Sequence, residues 1–530
     1  MFKRAASLIF FGVLMAGVCC DALAAENNAS LNFIARIPLQ HNGRIKPFEA
    51  FARETTRLIT DKEIWQGKSA LVFVLDILAD PNKALETACI RLDYPPLKNL
   101  LRLSLEKKYF SYDELKPVFP AIESLVKNAG QKRDKNIHLT PLEQKAEILY
   151  SRLVTLEGLI SSESITAIPS SMQASWMSPY LTELPASVAF KDIILAYKTG
   201  HSQQVISGTQ EWIKNVRSLS QEYSALKVNM EIVYYHLKPF QWAWMFYLLG
   251  FVLLTVFSKS PRLWTIASGI ILAGFLLHTA GLFLRIFILS RPPVSNMYES
   301  MVFMNWILMA CALLVFAAKK KHFLLTTAAV VSALVMIYAD LLPIDQSLDV
   351  LVPVLRSNFW LTIHVMTIVS SYGIFGFAMA LGHRHLVFDV MKRFSPQTEG
   401  MSIQVIFRLL QAGIITLGIG TVLGGVWANE SWGRFWGWDP KETWAFITFL
   451  GYLIVIHLRA TGKLSNFALA VSSLLGFLLV LMTWYGVNFI LGKGLHSYGS
   501  GSGGVLWVVY YLIFEILFVG WILFLALRRV

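Results

Sequence analysis

The residues with chemistry to offer concentrate between Trp427 and Glu442, where the chain reads Trp-Ala-Asn-Glu-Ser-Trp-Gly-Arg-Phe-Trp-Gly-Trp-Asp-Pro-Lys-Glu. Trp427, Trp432, Trp436 and Trp438 are spaced by Gly433 and Gly437 and interrupted by Arg434, in a short polar loop between two long apolar runs. Indole faces stack on π-systems and a guanidinium pairs with carboxylates, so the loop reads as a flat aromatic surface for a large planar, partly anionic ligand. Anchoring is the competing account, because Trp is enriched at bilayer interfaces. Asp439-Pro440-Lys441-Glu442 also has a structural reading, as N-cap, N1 and a Glu at N3 of a helix opening there.

The elements that must hold this loop are membrane helices. The chain has 530 residues, of which 55% are hydrophobic and only 15% charged, which is too apolar for a soluble protein of this length. Nine apolar runs, about residues 240–257, 263–289, 301–318, 323–342, 358–381, 405–426, 440–458, 466–490 and 504–527, are near the length that crosses a hydrocarbon core. The expected fold is an all-α polytopic membrane protein of about nine transmembrane helices with a mostly helical N-terminal extracytoplasmic domain. Met1 to Ala25 reads as a signal peptide, with Lys3 and Arg4, an apolar stretch from Leu8 to Cys20 and the small-residue pattern Ala22-Leu23-Ala24. Residues 26–239 read as the soluble domain and 240–530 as the transmembrane domain. Within the first, helices are expected over 71–78, 141–159 and 210–223, the second capped by Thr140 with Glu143 at N3, and a turn at Gly43.

The net charge of +13 does not call for nucleic acid. With the N-terminal domain outside, the inner loops carry Lys259, Arg262, Lys319, Lys320, Lys321, Arg384, Lys392, Arg393, Arg459, Lys463, Arg528 and Arg529. The outer loops carry Arg291, Arg356, Arg434, Lys441 and Lys493. That is the positive-inside pattern, and it turns the Trp loop outward. His364, near the outer end of the fifth run, and His496, after the eighth, fall on the same side. Two imidazoles on opposite faces of one macrocycle, with indoles at its edge, make a bis-histidine haem site. His41, His138 and His201 in the soluble domain have no ligand spacing and read as surface histidines. The chain has no Cys-x-x-Cys, which excludes a thioredoxin-type reductase, and no Cys-x-x-Cys-His to carry covalent haem of its own.

Trp-Gly-Arg-Phe-Trp-Gly-Trp-Asp-Pro-Lys-Glu-Thr-Trp resembles the tryptophan-rich WWD signature of the haem-handling proteins of cytochrome c biogenesis. His457-Leu458-Arg459 fits the CcsA (ResC) branch, and so do Gly494-Leu495-His496-Ser497-Tyr498-Gly499 and His364-Val365 followed by Ser371-Tyr372. The resemblance implies haem b, iron ligation at His364, His496 and His457, and Trp427, Trp432, Trp436, Trp438, Arg434 and Asp439 around the cofactor. It further implies a CcsB (ResB)-like membrane partner, an apocytochrome c substrate, a thiol-reducing system and a holocytochrome c synthase activity at the outer face of the cytoplasmic membrane. Arg291, in the outer segment Arg291 to Glu299, reads either as a propionate partner or as a plain loop charge. His278 lies roughly 22 Å above the inner end of the second run, too far from His457 to share its iron, which points to a ligand from another chain. Two alternatives stand beside the synthase: a haem exporter or carrier without ligation activity, and a transporter whose intramembrane histidines relay protons.

Overall fold

A computed structural model describes residues 29–528 except 136, 138, 171–174, 258–259, 343–345, 349–356, 394 and 492–503. The signal segment, His138 and His496 therefore lie outside the described residues. The chain divides into two compact units, Met1–Tyr235 and His236–Val530. The helix Ala225–Leu237 ends at a left-handed Lys238, and Pro239 opens the next helix.

The N-terminal unit is mostly helical, with three short antiparallel strand pairs. Strands β1 (Pro38–His41) and β2 (Arg44–Pro47) pair with His41 opposite Arg44. Asn42 and Gly43, both at positive φ, form the two-residue turn that suits a hairpin. Arg44 reaches Glu231 with two hydrogen bonds of 2.7 and 2.6 Å, pinning the hairpin to the helix Ala225–Leu237. The expected helices appear as Ala70–Ala79, Pro141–Ile160 and Ser202–Leu219, and Thr140 and Glu143 form the expected capping box. The third starts earlier than its apolar pattern suggested: Val205, Thr209, Trp212 and Val216 make its buried stripe, and Thr209 interrupts the apolar periodicity. Cys89 is buried, and burial pushes its thiol up to about 12, so it is inert at neutral pH.

Among the described residues of the second unit, nine helices are long and apolar enough to cross a membrane. They are α1 (Pro239–Val256), α2 (Pro261–Leu289), α3 (Met297–Lys319), α4 (His322–Leu341), α5 (Asn358–Val390), α6 (Pro396–Trp432), α7 (Pro440–Ala460), α8 (Asn466–Leu491) and α9 (Val505–Leu527). Helix α5 is the hub, packing on α3, α6 and α8. Two-thirds of its most apolar window (67%) is buried, against 11% for α7, so α5 is a core helix while α7 is peripheral, packed on α6 and α8 with its residues mostly half-buried. Helix α6 has 37 residues, and at 1.5 Å per residue it is far longer than a ~30 Å hydrocarbon core.

Candidate functional site

The stretch 427–442, expected as one loop, is three things in the structure. Helix α6 continues through Trp427 to Trp432, and Gly433 ends it at φ +70, its N–H bonded to the Asn429 carbonyl. A left-handed residue is a common way to close a helix, and glycine takes that conformation without strain. A short loop comes next, and Asp439 caps α7: its Oδ1 accepts from the N–H groups of Lys441 (2.8 Å) and Glu442 (3.4 Å). Trp427 and Trp432 are therefore carried on a rigid helix end, and only Trp436 and Trp438 belong to the loop.

Next to this segment is a cavity enclosing about 1160 Å³ of space not filled by atoms, part of it open to solvent. His364, Trp427, Phe435, Trp436, Trp484 and Tyr372 are among its lining residues, with aliphatic and small polar side chains between them. Its far wall is the segment Val294 to Met297 that opens α3. Two π-helical turns, Leu361–Val365 in α5 and Met482–Leu491 in α8, both border the cavity. Such turns rotate side chains out of the ordinary helical register and recur at functional sites. The first carries His364; the second carries Thr483, Trp484 and Asn488 and leads toward His496.

His364 is held on two sides. Its Nδ1 donates to the Gly420 carbonyl of α6 at 2.8 Å, which makes Nε2 the lone-pair nitrogen. Its ring lies over Gly424: a Cβ there would sit 2.5 Å from His364 Cε1, so only glycine admits the ring. Trp427 meets the imidazole edge-on at 5.7 Å and stacks at 10° on Trp360, which donates to Glu430 at 2.7 Å. In the loop, Trp436 and Trp438 pack edge-on at 5.8 Å, and Trp438 is 67% exposed.

The two expected cations have protein partners. Arg434 donates to Glu442 at 3.1 Å and lies over the Trp432 ring, while Glu442 also accepts from the Gly437 and Asp439 N–H groups. Arg291 is buried and donates to Glu299 at 2.7 Å; the buried Arg285 holds the other oxygen of Glu299 at 2.8 Å. Glu299 also accepts from the Ser295 N–H and hydroxyl, so this ion triad braces the cavity wall.

His457 is at the opposite end of α7, on an exposed face, its Nδ1 donating to the Leu453 carbonyl at 2.8 Å. His278 is fully buried with both ring nitrogens engaged, one by the Tyr247 hydroxyl at 3.2 Å and one by the Val302 carbonyl at 3.1 Å. Sequence reasoning missed Trp360, Trp484 and Lys441 as parts of the site. It also missed a buried cluster away from the cavity, where Glu515 of α9 meets His383 of α5 at 3.1 Å and accepts from Tyr511 at 2.6 Å. A lone glutamate inside an apolar span was the available signal.

Fold and site together define a polytopic helical membrane protein with a cavity, partly lined by aromatic side chains, where α5, α6, α7 and α8 meet the start of α3. The profile of the family described as cytochrome C assembly protein matches residues 294–496, which takes in the cavity walls. The cytochrome c biogenesis protein CcsA of Trieres chinensis is 35% identical over 244 residues, 39% of this chain and 78% of that protein. CcsA of Prochlorococcus marinus is 34% identical over 279 residues, 44% of this chain and 88% of that protein. The chain belongs to this cytochrome c biogenesis family. NrfI of Wolinella succinogenes is 32% identical over 496 residues, 87% of this chain, yet the chain spans only 53% of NrfI's length. The solved structure of cytochrome c heme lyase CcmF aligns over 55% of either chain at 18% identity and a TM-score of 0.36, too loosely to superpose sites.

Proposed function

We propose that this chain is the haem-delivering component of a cytochrome c synthase, holding haem b in the aromatic cavity and presenting it to an unfolded Cys-x-x-Cys-His segment of apocytochrome c. The observation that carries the reading is His364, with its Nδ1–H committed to a backbone carbonyl and its ring wedged beside Trp427. Histidines that ligate metals are oriented by that second hydrogen bond, which also raises the basicity of the ligating nitrogen. The lining fits the group: aromatic walls for a macrocycle, an imidazole held in the ligating tautomer, and a glycine that clears the ring's place.

In this reading His364 and His496 would hold the haem iron, and Trp427 and Trp436 would pack against the macrocycle. Trp432, Trp438, Arg434 and Asp439 build the mouth, and Arg291 braces the wall opposite. When bound, haem supplies two vinyl groups to which thiols add. Each substrate S–H adds across one vinyl double bond, the sulfur bonding one carbon and the hydrogen ending on the other, so nothing is oxidised and nothing leaves. The chain itself contributes proximity and orientation rather than an acid or base. His457 ligates a second, intramembrane haem together with a CcsB/ResB-like partner; its position on the exposed face of α7 supports a ligand from another chain. A thiol-reducing system keeps the substrate cysteines reduced, and the positive-inside pattern supports a cavity at the outer face of the cytoplasmic membrane.

The test is co-expression of this chain and the partner with an apocytochrome c in cells lacking their own maturation system. Haem remaining on the cytochrome through a denaturing gel reports thioether bonds, since coordinated haem is lost. The synthase reading requires covalent product that disappears when residues 432–438 are scrambled. Haem binding without product would leave a carrier.

A further inference from the structure

Two charged side chains line the cavity, Lys441 and Glu442. Glu442 is committed to the loop, one oxygen taking Arg434 and the other the N–H groups of Gly437 and Asp439. The arginines nearby, Arg434 and Arg291, are matched by Glu442 and Glu299. Lys441 differs from both: among the described residues its ammonium makes no contact ion pair or hydrogen bond, and the nearest carboxylate, Asp439, acts on it only through space while its Oδ1 is spent on capping the α7 N–H groups. It is half-buried, on the first turn of α7, whose N–H groups are already taken by the Asp439 cap. An ammonium drawn partly out of water beside an aromatic cavity is costly unless an anion accompanies it.

We infer that Lys441 is the carboxylate receptor of the cavity: it pairs with an acidic side group of the planar ligand and so decides which edge of that ligand lies against α7. The inference rests on the haem reading and deepens it. In protoporphyrin the carboxylates and the vinyl groups occupy different edges, so anchoring a propionate at Lys441 turns the vinyl-bearing edge away from α7, toward an incoming thiol. The role is one of positioning; Lys441 touches the ligand but not the reacting carbons.

The experiment uses the full chain in detergent with His457→Ala, so that the outer site alone reports, titrated with ferric protoporphyrin IX and separately with its dimethyl ester. Absorbance in the Soret band reads the binding. Lys441→Gln should weaken the free acid about tenfold or more and leave the ester within about twofold, and Lys441→Arg should restore the free acid. Equal losses for both probes make Lys441 a structural residue and overturn the inference while the haem site stands. No loss for either means that solvent or lipid phosphate is its partner, with the same consequence. Failure of the parent chain to bind either probe overturns the haem reading and the inference together.

Discussion

Alanine at position 424 separates ligand geometry from fold. The new Cβ would lie 2.5 Å from His364 Cε1, 3.0 Å from Nδ1 and 3.1 Å from Nε2. To reach ordinary contact at 3.4 Å the ring must retreat by roughly 0.9 Å, the gap between 3.4 and 2.5 Å. Such a retreat strains or breaks the 2.8 Å bond from Nδ1 to the Gly420 carbonyl. The fold should tolerate it, since alanine gains about 1 kcal/mol over glycine within a helix and overpacking costs about 1–3 kcal/mol. Ligation should not, because a displacement near 1 Å at a reacting centre can cost on the order of 100-fold, and loss of a ligand's orienting bond about 10–100-fold in affinity. The assay is haem content and absorption spectrum of the chain purified with its partner, alongside its thermal unfolding midpoint. Gly400→Ala on the same helix is the control, since nothing lies within 4 Å of its Cβ. Gly424→Ala with the haem content and spectrum of the parent would refute the assignment of His364.

Charge changes yield two more outcomes. Glu299→Ala leaves Arg285 and Arg291, 1% and 7% exposed, without their carboxylate; breaking a buried pair costs about 3–5 kcal/mol, so the unfolding midpoint in detergent should fall sharply, and an unchanged midpoint would contradict the bracing role. In the N-terminal unit, Lys132 and then the Thr140 N–H and hydroxyl hold the Glu143 carboxyl down at about 2 from an ordinary 4.5. A depressed carboxylate stabilises the fold fully above 4.5 and loses that contribution as pH falls toward 2. Amide exchange in Pro141–Ile160, corrected for intrinsic rate, should rise across that window, and Glu143→Gln should flatten the rise.

Much of this protein could be read from the chain because the signals are local. The apolar runs gave the nine spans, since a ~30 Å core imposes a length that sequence displays directly. The capping boxes at Thr140 and Asp439 and the Asn42-Gly43 turn satisfy backbone groups within a few residues, so spacing alone reveals them. The four tryptophans were legible for the same reason, and two of them, Trp427 and Trp436, line the cavity.

What the chain could not reveal is which faces meet. Helix α6 runs on through Trp427 and Trp432 because Gly433, not the end of the apolar run, stops it. The stacking of Trp360 on Trp427, a contact across 67 positions of sequence, depends on how α5 and α6 are rotated about their axes. The π-helical turns that aim His364 and Trp484 carry no periodic signature, because one widened turn shifts the register of the residues beyond it and leaves no repeat of its own. The partners of the charges were hidden for a related reason. Arg434, Arg291 and Lys441 are all outer-loop cations in the sequence, and only packing decides that Glu442 and Glu299 take the first two while Lys441 lines the cavity.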